Sequence, residues 1–385
     1  MKIWLLLLIP IAVTVGMLMF YRKKVSWWEY LSLFGVSALI ILISKLIITT
    51  SMTSDTEYWS EPAYKVVYDG AWDEWIVDEC SYDCFCTEDK DGNETCSTCW
   101  EDCSYRASHN ASWKIVSKSG RSFSISESEY KRIVGKWGNE KRTGNHSGRN
   151  KHYDHGIYES TCEDKNLAEC IVSSHSYENK VQAANTEYKF DEVTEKEVAE
   201  FKLYEYPEIY ENYKQSHILG SGDETFREAV QNMDALNAEL GPDKQLKAFI
   251  LIFKNQSEQA GIMQENYWKG GNKNEFVLTI GVDNNNNIQW AHPFTWSENV
   301  AVKSNIRSFV AKQGKLNLAK VSSYMYGELD KNFERKHFKD FNYLTVEPSN
   351  RSMTITTILL IIINVCFAVW FILNEHNNKF FSNRD

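Results

Sequence analysis

The sequence predicts an α+β membrane protein with three transmembrane helices, a Cys-rich β domain and an α/β domain. Three observations carry this reading: long apolar runs confined to the two ends, eight of the nine cysteines lying between Cys80 and Cys170, and a strand–helix alternation that starts at Lys247. The 385 residues are 43% hydrophobic and 24% charged, an ordinary globular average that hides two unlike polymers. Residues 1–50 and 351–385 contribute +4 and +1 to the formal charge of −10, which leaves −15 on the middle. An acidic middle argues against binding a phosphate backbone, so no nucleic-acid partner is expected.

Ile3 to Phe20, Leu31 to Thr50 and Thr354 to Leu373 each have the length a helix needs to cross about 30 Å of hydrocarbon. The first run ends in Met17-Leu18-Met19-Phe20 and Tyr21-Arg22-Lys23-Lys24, without the small residues of a signal-peptide cleavage site, so it reads as a retained helix. Arg22, Lys23 and Lys24 lie in the short loop between the first two runs, and basic residues in short loops tend to stay cytoplasmic. The middle is then expected outside the cytoplasm and the tail, with Lys379 and Arg384, inside; Arg335, Lys336, Lys339 and Arg351 weigh against this orientation. Trp27, Trp28 and Tyr30 suit an interfacial aromatic belt. Lys45 is placed to snorkel, and Asn364 to hydrogen-bond to another helix. With so few ionisable groups inside the runs, a pore or transporter is not expected. The boundaries that follow are a helical hairpin at 1–50 (3–20 and 31–50), a Cys-rich β domain at 51–185, an α/β domain at 186–350, and a last helix (354–373) with its tail at 351–385.

Cys80, Cys84, Cys86, Cys96, Cys99 and Cys103 flank Lys90-Asp91-Gly92-Asn93, and Asp-Gly is a strong two-residue hairpin turn. Counting outward from that turn, Cys80 stands opposite Cys103 and Cys84 opposite Cys99. Cys86 and Cys96 are one residue out of step, which a bulge can absorb. Opposed residues on antiparallel strands lie within disulfide reach, so a three-rung ladder is geometrically allowed. Cys162 and Cys170 could close one further local loop. The rival reading is zinc held by Cys84-x-Cys86 and Cys96-x2-Cys99 thiolates, which would require reduced cysteines and a cytoplasmic middle. With the cysteines oxidised, no cofactor, metal ligand or catalytic residue is assigned.

Residues from about 56 to 185 read as β-rich, and within them the strand Ser122 to Ile125 is followed by a short helix with Ser126 as N-cap and Glu129 completing a capping box. Asp223 caps a helical run from Glu224 to Leu240 that Gly241-Pro242 is expected to stop. Lys247 to Phe253 is a nearly unbroken apolar strand. Ser257 to Lys269 reads as a helix, Phe276 to Val282 and Ile288 to Phe294 as strands, and Ser297 to Ala311 and Leu316 to Phe341 as helices. His146, His152, Asp154 and His155 border a Gly- and Asn-rich stretch and read as a solvated loop. Asp283-x-Asn285-x-Asn287 begins like a calcium loop, but Ile288 stands where that loop needs Gly and Phe294 where it needs Glu, so a polar hairpin turn is expected. No nucleotide-binding loop or nucleophile elbow is present in the right context.

The strand Phe249-Ile250-Leu251-Ile252-Phe253, the helix end and strand Trp268-Lys269-Gly270-Gly271-Asn272-Lys273-Asn274-Glu275-Phe276-Val277-Leu278-Thr279-Ile280, and the partner Ile288-Gln289-Trp290-Ala291 together resemble the TPM family of membrane-associated α/β domains. That resemblance implies either a weak or metal-dependent phosphatase or an assembly factor, although the acidic residues of a phosphatase are not evident at matching positions. Thr53-Ser54-Asp55-Thr56-Glu57-Tyr58-Trp59, the cysteine hairpin and Tyr267-Trp268 through Asn274 also look like uncharacterised membrane proteins of tailed bacteriophages, which implies an envelope or periplasmic setting. The expectation is a multi-pass membrane protein, more a binder than an enzyme, whose partners are the lipid bilayer and other membrane or envelope proteins. Aromatic side chains supply its anchors and an acidic surface favours basic partners.

Overall fold

The computed structural model describes residues 2–21, 27–88, 94–164, 167–184 and 190–382. The basic segment Arg22 to Lys24, the Asp91-Gly92 turn and Arg384 lie outside the described residues. Two compact units are present, one of residues 1–57, 175–191 and 337–385, the other of 58–174 and 192–336.

The first unit contains three helices long and apolar enough to cross a membrane, with spans at Ile3–Phe20, Trp27–Thr53 and Asn350–Leu373. A short 3-10 turn leads into α1 (Leu8–Tyr21), and α2 follows at Trp27–Thr53. The closing helix is Asn350–Ser382. Ile3, Leu6, Ile41 and Leu360 are the buried contacts among them, while most other apolar side chains face outward, which is compatible with a membrane around them. Asn364 does what its position suggested: its amide donates to Ser37 Oγ at 3.0 Å, between two helices. Lys45 Nζ lies 5.5 Å over the Trp4 ring. Trp27 and Trp28 stack at 3.7 Å at the start of α2 and are exposed.

In the second unit β1 (Ser54–Asp69) is the centre of a six-stranded sheet. Next come β2 (Trp72–Ile76), β3 (Glu79–Glu88), β4 (Glu94–Asp102), β5 (Tyr105–His109), β6 (Ser112–Ser117), β7 (Ser122–Ser124), α3 (Glu127–Trp137), β8 (Lys141–Gly144), β9 (Ile157–Thr161) and β10 (Cys170–Glu178). The sheet order is β7-β6-β1-β9-β8, with β10 also on β1. Ser126 caps α3 as expected, its Oγ accepting from Glu129 N at 3.2 Å. α3 then lays Tyr130 and Ile133 against Val66, Ile115 and Ile171.

After α4 (Lys180–Ala183) and α5 (Glu195–Phe201) come β11 (Ile218–Leu219), α6 (Phe226–Lys244), β12 (Lys247–Lys254), α7 (Gln259–Tyr267), β13 (Glu275–Val282), β14 (Ile288–Thr295), α8 (Ala301–Lys312) and α9 (Leu318–Asn332). β11, β12 and β13 run parallel and β14 antiparallel. Both faces of β12 are buried, and alternation decides which layer each residue joins. Ala248, Ile250 and Ile252 pack with α6, α8 and α9, whereas Phe249, Leu251 and Phe253 pack with Leu203, Ala260 and Trp290. Gly241-Pro242 does not stop α6, which runs to Lys244 and ends at Gln245 in the left-handed region. Gly241 serves close approach instead, since a Cβ there would collide with the Ser60 carbonyl. The expected Leu316 to Phe341 helix stops at Asn332, where Phe333 turns extended and buries its ring.

Replacing Asn364 by Leu removes the interhelical hydrogen bond. The expected loss is about 0.6 kcal/mol, the average for such interhelical bonds, and at most about 1.7 kcal/mol, read as a lower unfolding midpoint in detergent.

Candidate functional site

Two features of the second unit stand apart from its core: an exposed disulfide-bonded arm and a buried polar cluster. The arm is two successive two-stranded ribbons, β2 with β5 and then β3 with β4. Three disulfides cross the outer ribbon, Cys80–Cys103, Cys84–Cys99 and Cys86–Cys96. The partners are those the hairpin count singled out, but the register differs. Cys80 lies opposite Glu101, and Cys84 opposite Ser97, so the first two bonds run diagonally, with Cα separations of 5.6 and 5.8 Å. The strong twist of a two-stranded ribbon shortens one diagonal and makes this reach available. A register shift between Cys84 and Thr87, where Phe85 has φ of 48°, then sets Cys86 level with Cys96. Cys162 and Cys170 do not form the fourth bond. Both are free thiols, Cys162 directed at the Asp164 carbonyl and Cys170 at the Asp234 carbonyl.

The outer ribbon buries almost nothing. Phe85 is 84% and Trp100 66% exposed, with Tyr82 exposed beside them. Glu79, Asp83, Glu88, Glu94, Glu101 and Asp102 give the two strands only negative charge. At the base of the arm, the stretch read as a solvated loop is an ordered brace. His146 Nδ1 pairs with Asp154 at 2.7 Å and Nε2 with Asp69 at 2.6 Å, and its ring stacks on Trp72, which also stacks on His109. Buried Asp73 accepts from Arg106 at 2.9 Å and from the His152 backbone at 2.7 Å. Burial pulls the His146 imidazole down, but Asp69 and Asp154 outweigh it and hold it above its ordinary value.

The buried cluster centres on Lys247, fully enclosed at the start of β12. Its Nζ bonds Ser60 Oγ at 3.1 Å and His217 Nε2 at 2.7 Å, while His217 Nδ1 meets Asp234 Oδ1 at 2.9 Å. With Nε2 accepting from lysine, the proton of a neutral ring sits on Nδ1 and is donated to Asp234. Burial brings Lys247 down to about 8, and burial with the neighbouring lysine brings His217 down to about 4. Burial raises the Cys170 thiol well above its ordinary value, which makes it a poor nucleophile. Cys170 and Asp234 also line a cavity of about 440 Å³ whose rim carries Arg132, Lys136, Lys214 and Arg227. Three of these cations are paired: Glu129 takes Arg132 and Lys214, and Glu169 takes Arg132 and Lys136. Burial opposes the charge on Glu129, but Arg132, Lys214 and Tyr213 outweigh it and bring the carboxyl down to about 2.

Sequence reasoning placed Glu129 only as a helix cap and assigned Cys170 to a disulfide. It passed over Lys247, His217 and Asp234, which share no short motif. Asp283 lies where a hairpin turn was expected, its carboxylate accepting from Asn285 N and Asn287 N at 2.8 Å. No family model, curated protein or solved structure matches this chain. The likenesses to TPM domains and phage membrane proteins therefore rest on sequence pattern alone.

Glu129→Gln is expected to destabilise the fold by about 2 kcal/mol, less than the ~3–5 for breaking a fully buried pair because Arg132 is partly exposed. A depressed carboxyl contributes stability above its unfolded pKa and loses it as pH falls toward about 2, so the variant should also lose part of its acid sensitivity in chemical denaturation. His146 has the opposite sign. Its contribution is full below the imidazole's unfolded pKa and is lost as pH rises through the raised folded value, so His146→Gln should flatten the fall in melting temperature between neutral and alkaline pH.

Proposed function

We propose that this is a membrane-anchored binding protein whose disulfide-bonded arm, displayed outside the cytoplasm, contacts a basic protein partner of the membrane or envelope. The observation that carries this reading is the outer ribbon itself: three cross-links hold a segment that packs against no core of its own, with Tyr82, Phe85 and Trp100 turned outward. Such cross-links reduce the ordering cost of binding, because the ribbon is rigid before a partner arrives. Large aromatic side chains are the usual energetic anchors of interfaces, and a uniformly acidic ribbon steers basic surfaces toward it. Disulfides also suit an oxidising compartment. The phosphatase alternative draws no support from Asp283, whose carboxylate is engaged within its own turn.

Membrane-impermeant maleimide on intact cells should label the hairpin cysteines only after reduction. Labelling that requires lysis and no reductant would place the arm in the cytoplasm and overturn the reading. A photo-crosslinking amino acid at position 85 or 100 should give a discrete adduct in membranes, lost when Glu101 and Asp102 are changed to Lys. Adducts no different from those formed at the exposed position Ile209 would count against the arm as the contact element.

A further inference from the structure

Three side chains converge beside the cavity that Cys170 and Asp234 line: the Cys170 thiol from β10, the His217 imidazole from the segment before β11, and the Asp234 carboxylate from α6. One donor atom of each lies within 4.8 Å of the other two. We propose that they form a binding site for one divalent cation of the zinc class, with its remaining coordination position open to the cavity. This inference is independent of the arm and of its partner.

The donor set selects the ion. A sulfur, an imidazole nitrogen and one carboxylate suit a borderline-soft cation and are wrong for magnesium or calcium, which take oxygen. Metal–ligand bonds of about 2.0 to 2.3 Å place tetrahedral donors roughly 3.3 to 3.7 Å apart. The His217–Asp234 separation of 2.9 Å and the outer limit of 4.8 Å bracket that range, so small side-chain rotations close the site. The backbone is already fixed, since the His217 carbonyl accepts from Ile250 N at 2.9 Å and Asp234 lies within α6.

The surroundings also resemble a metal's outer layer. Ligating histidines use their second nitrogen on a fixed partner. Here Nδ1 faces Asp234, and Nε2 is held at 2.7 Å by Lys247 Nζ, which in turn meets Ser60 Oγ at 3.1 Å, so the ring orientation is fixed from behind. Cys170 and Asp234 supply two negative charges to a dication once the thiol proton leaves through the cavity. Three protein ligands with an open position is the pattern of a reactive or ligand-exchanging centre. The cationic rim, including Arg227, which has no ion-pair partner among the described residues, favours water or an anion in that position.

The test uses the full chain in detergent with its disulfides intact, stripped with chelator and titrated with cobalt(II). One equivalent should bind with a thiolate-to-cobalt charge-transfer band that zinc bleaches. Cys170→Ser should abolish the band, and Cys162→Ser should leave it unchanged. Asp234→Asn, at a partly exposed helix position, should weaken binding by more than the roughly 10- to 100-fold that loss of an outer-layer partner costs. A folded wild-type protein without the band, or a band that survives Cys170→Ser, overturns the proposal. Should Cys170→Ser not fold, thermal melting decides: a zinc-induced rise in wild type that Asp234→Asn loses supports the site, and an equal rise in both removes it.

Discussion

A lysine with no solvent contact commits everything around it. Lys247 cannot be buried alone, because an unpaired ammonium in a protein interior would be many kcal/mol out of balance. It is answered by Ser60 from β1 and by His217, and His217 is answered by Asp234 from α6. Glu275, buried on the neighbouring strand, supplies further negative potential. Because Ser60 belongs to the six-stranded sheet and Lys247 to the four-stranded one, the chain that satisfies one charge also joins two sheets. Gly241 against the Ser60 backbone and Asn274 donating to the Tyr58 carbonyl at 2.7 Å draw the same strands together. Residues 58–174 and 192–336, most of the two regions expected between the apolar runs, thus form one compact unit.

That body and its arm are stabilised by opposite means. The four-stranded sheet is covered on both faces, so its stability comes chiefly from apolar burial along β12 and β13. The arm buries little and relies on covalent cross-links, which act chiefly by restricting the unfolded chain. Between them lies the brace around His146, where ion pairs and ring stacking on Trp72 fix a loop that neither burial nor a disulfide would hold.

Much of this was legible in the sequence, and the reasons differ by element. The apolar helices announce themselves by length, and the interhelical role of Asn364 follows from a polar amide with no water to meet it. β12 and β13 could be read because buried strands are nearly continuous apolar runs, and β14 as the strand that returns after the polar turn. The disulfide partners could be read because a hairpin turn orders everything around it, although counting residues assumes a flat ribbon and so missed the diagonal register. The buried cluster was not legible. Cys170, His217, Asp234 and Lys247 come from four elements whose meeting is a product of topology, and Lys247 looks in sequence like the polar edge of an apolar strand. The end of α6 was misjudged for a related reason: Gly241 suggests a helix stop until the strand pressed against it is known.

The coreless arm has a consequence for how such a protein can change. In the sheets, nearly every side chain is constrained by neighbours on several sides, so substitution is costly. In the outer ribbon the cysteines carry the fold, and residues such as Tyr82, Phe85 and Trp100 touch little of the protein that bears them. The surface of the arm is therefore free to diversify at almost no expense to stability, while the body beneath it stays the same.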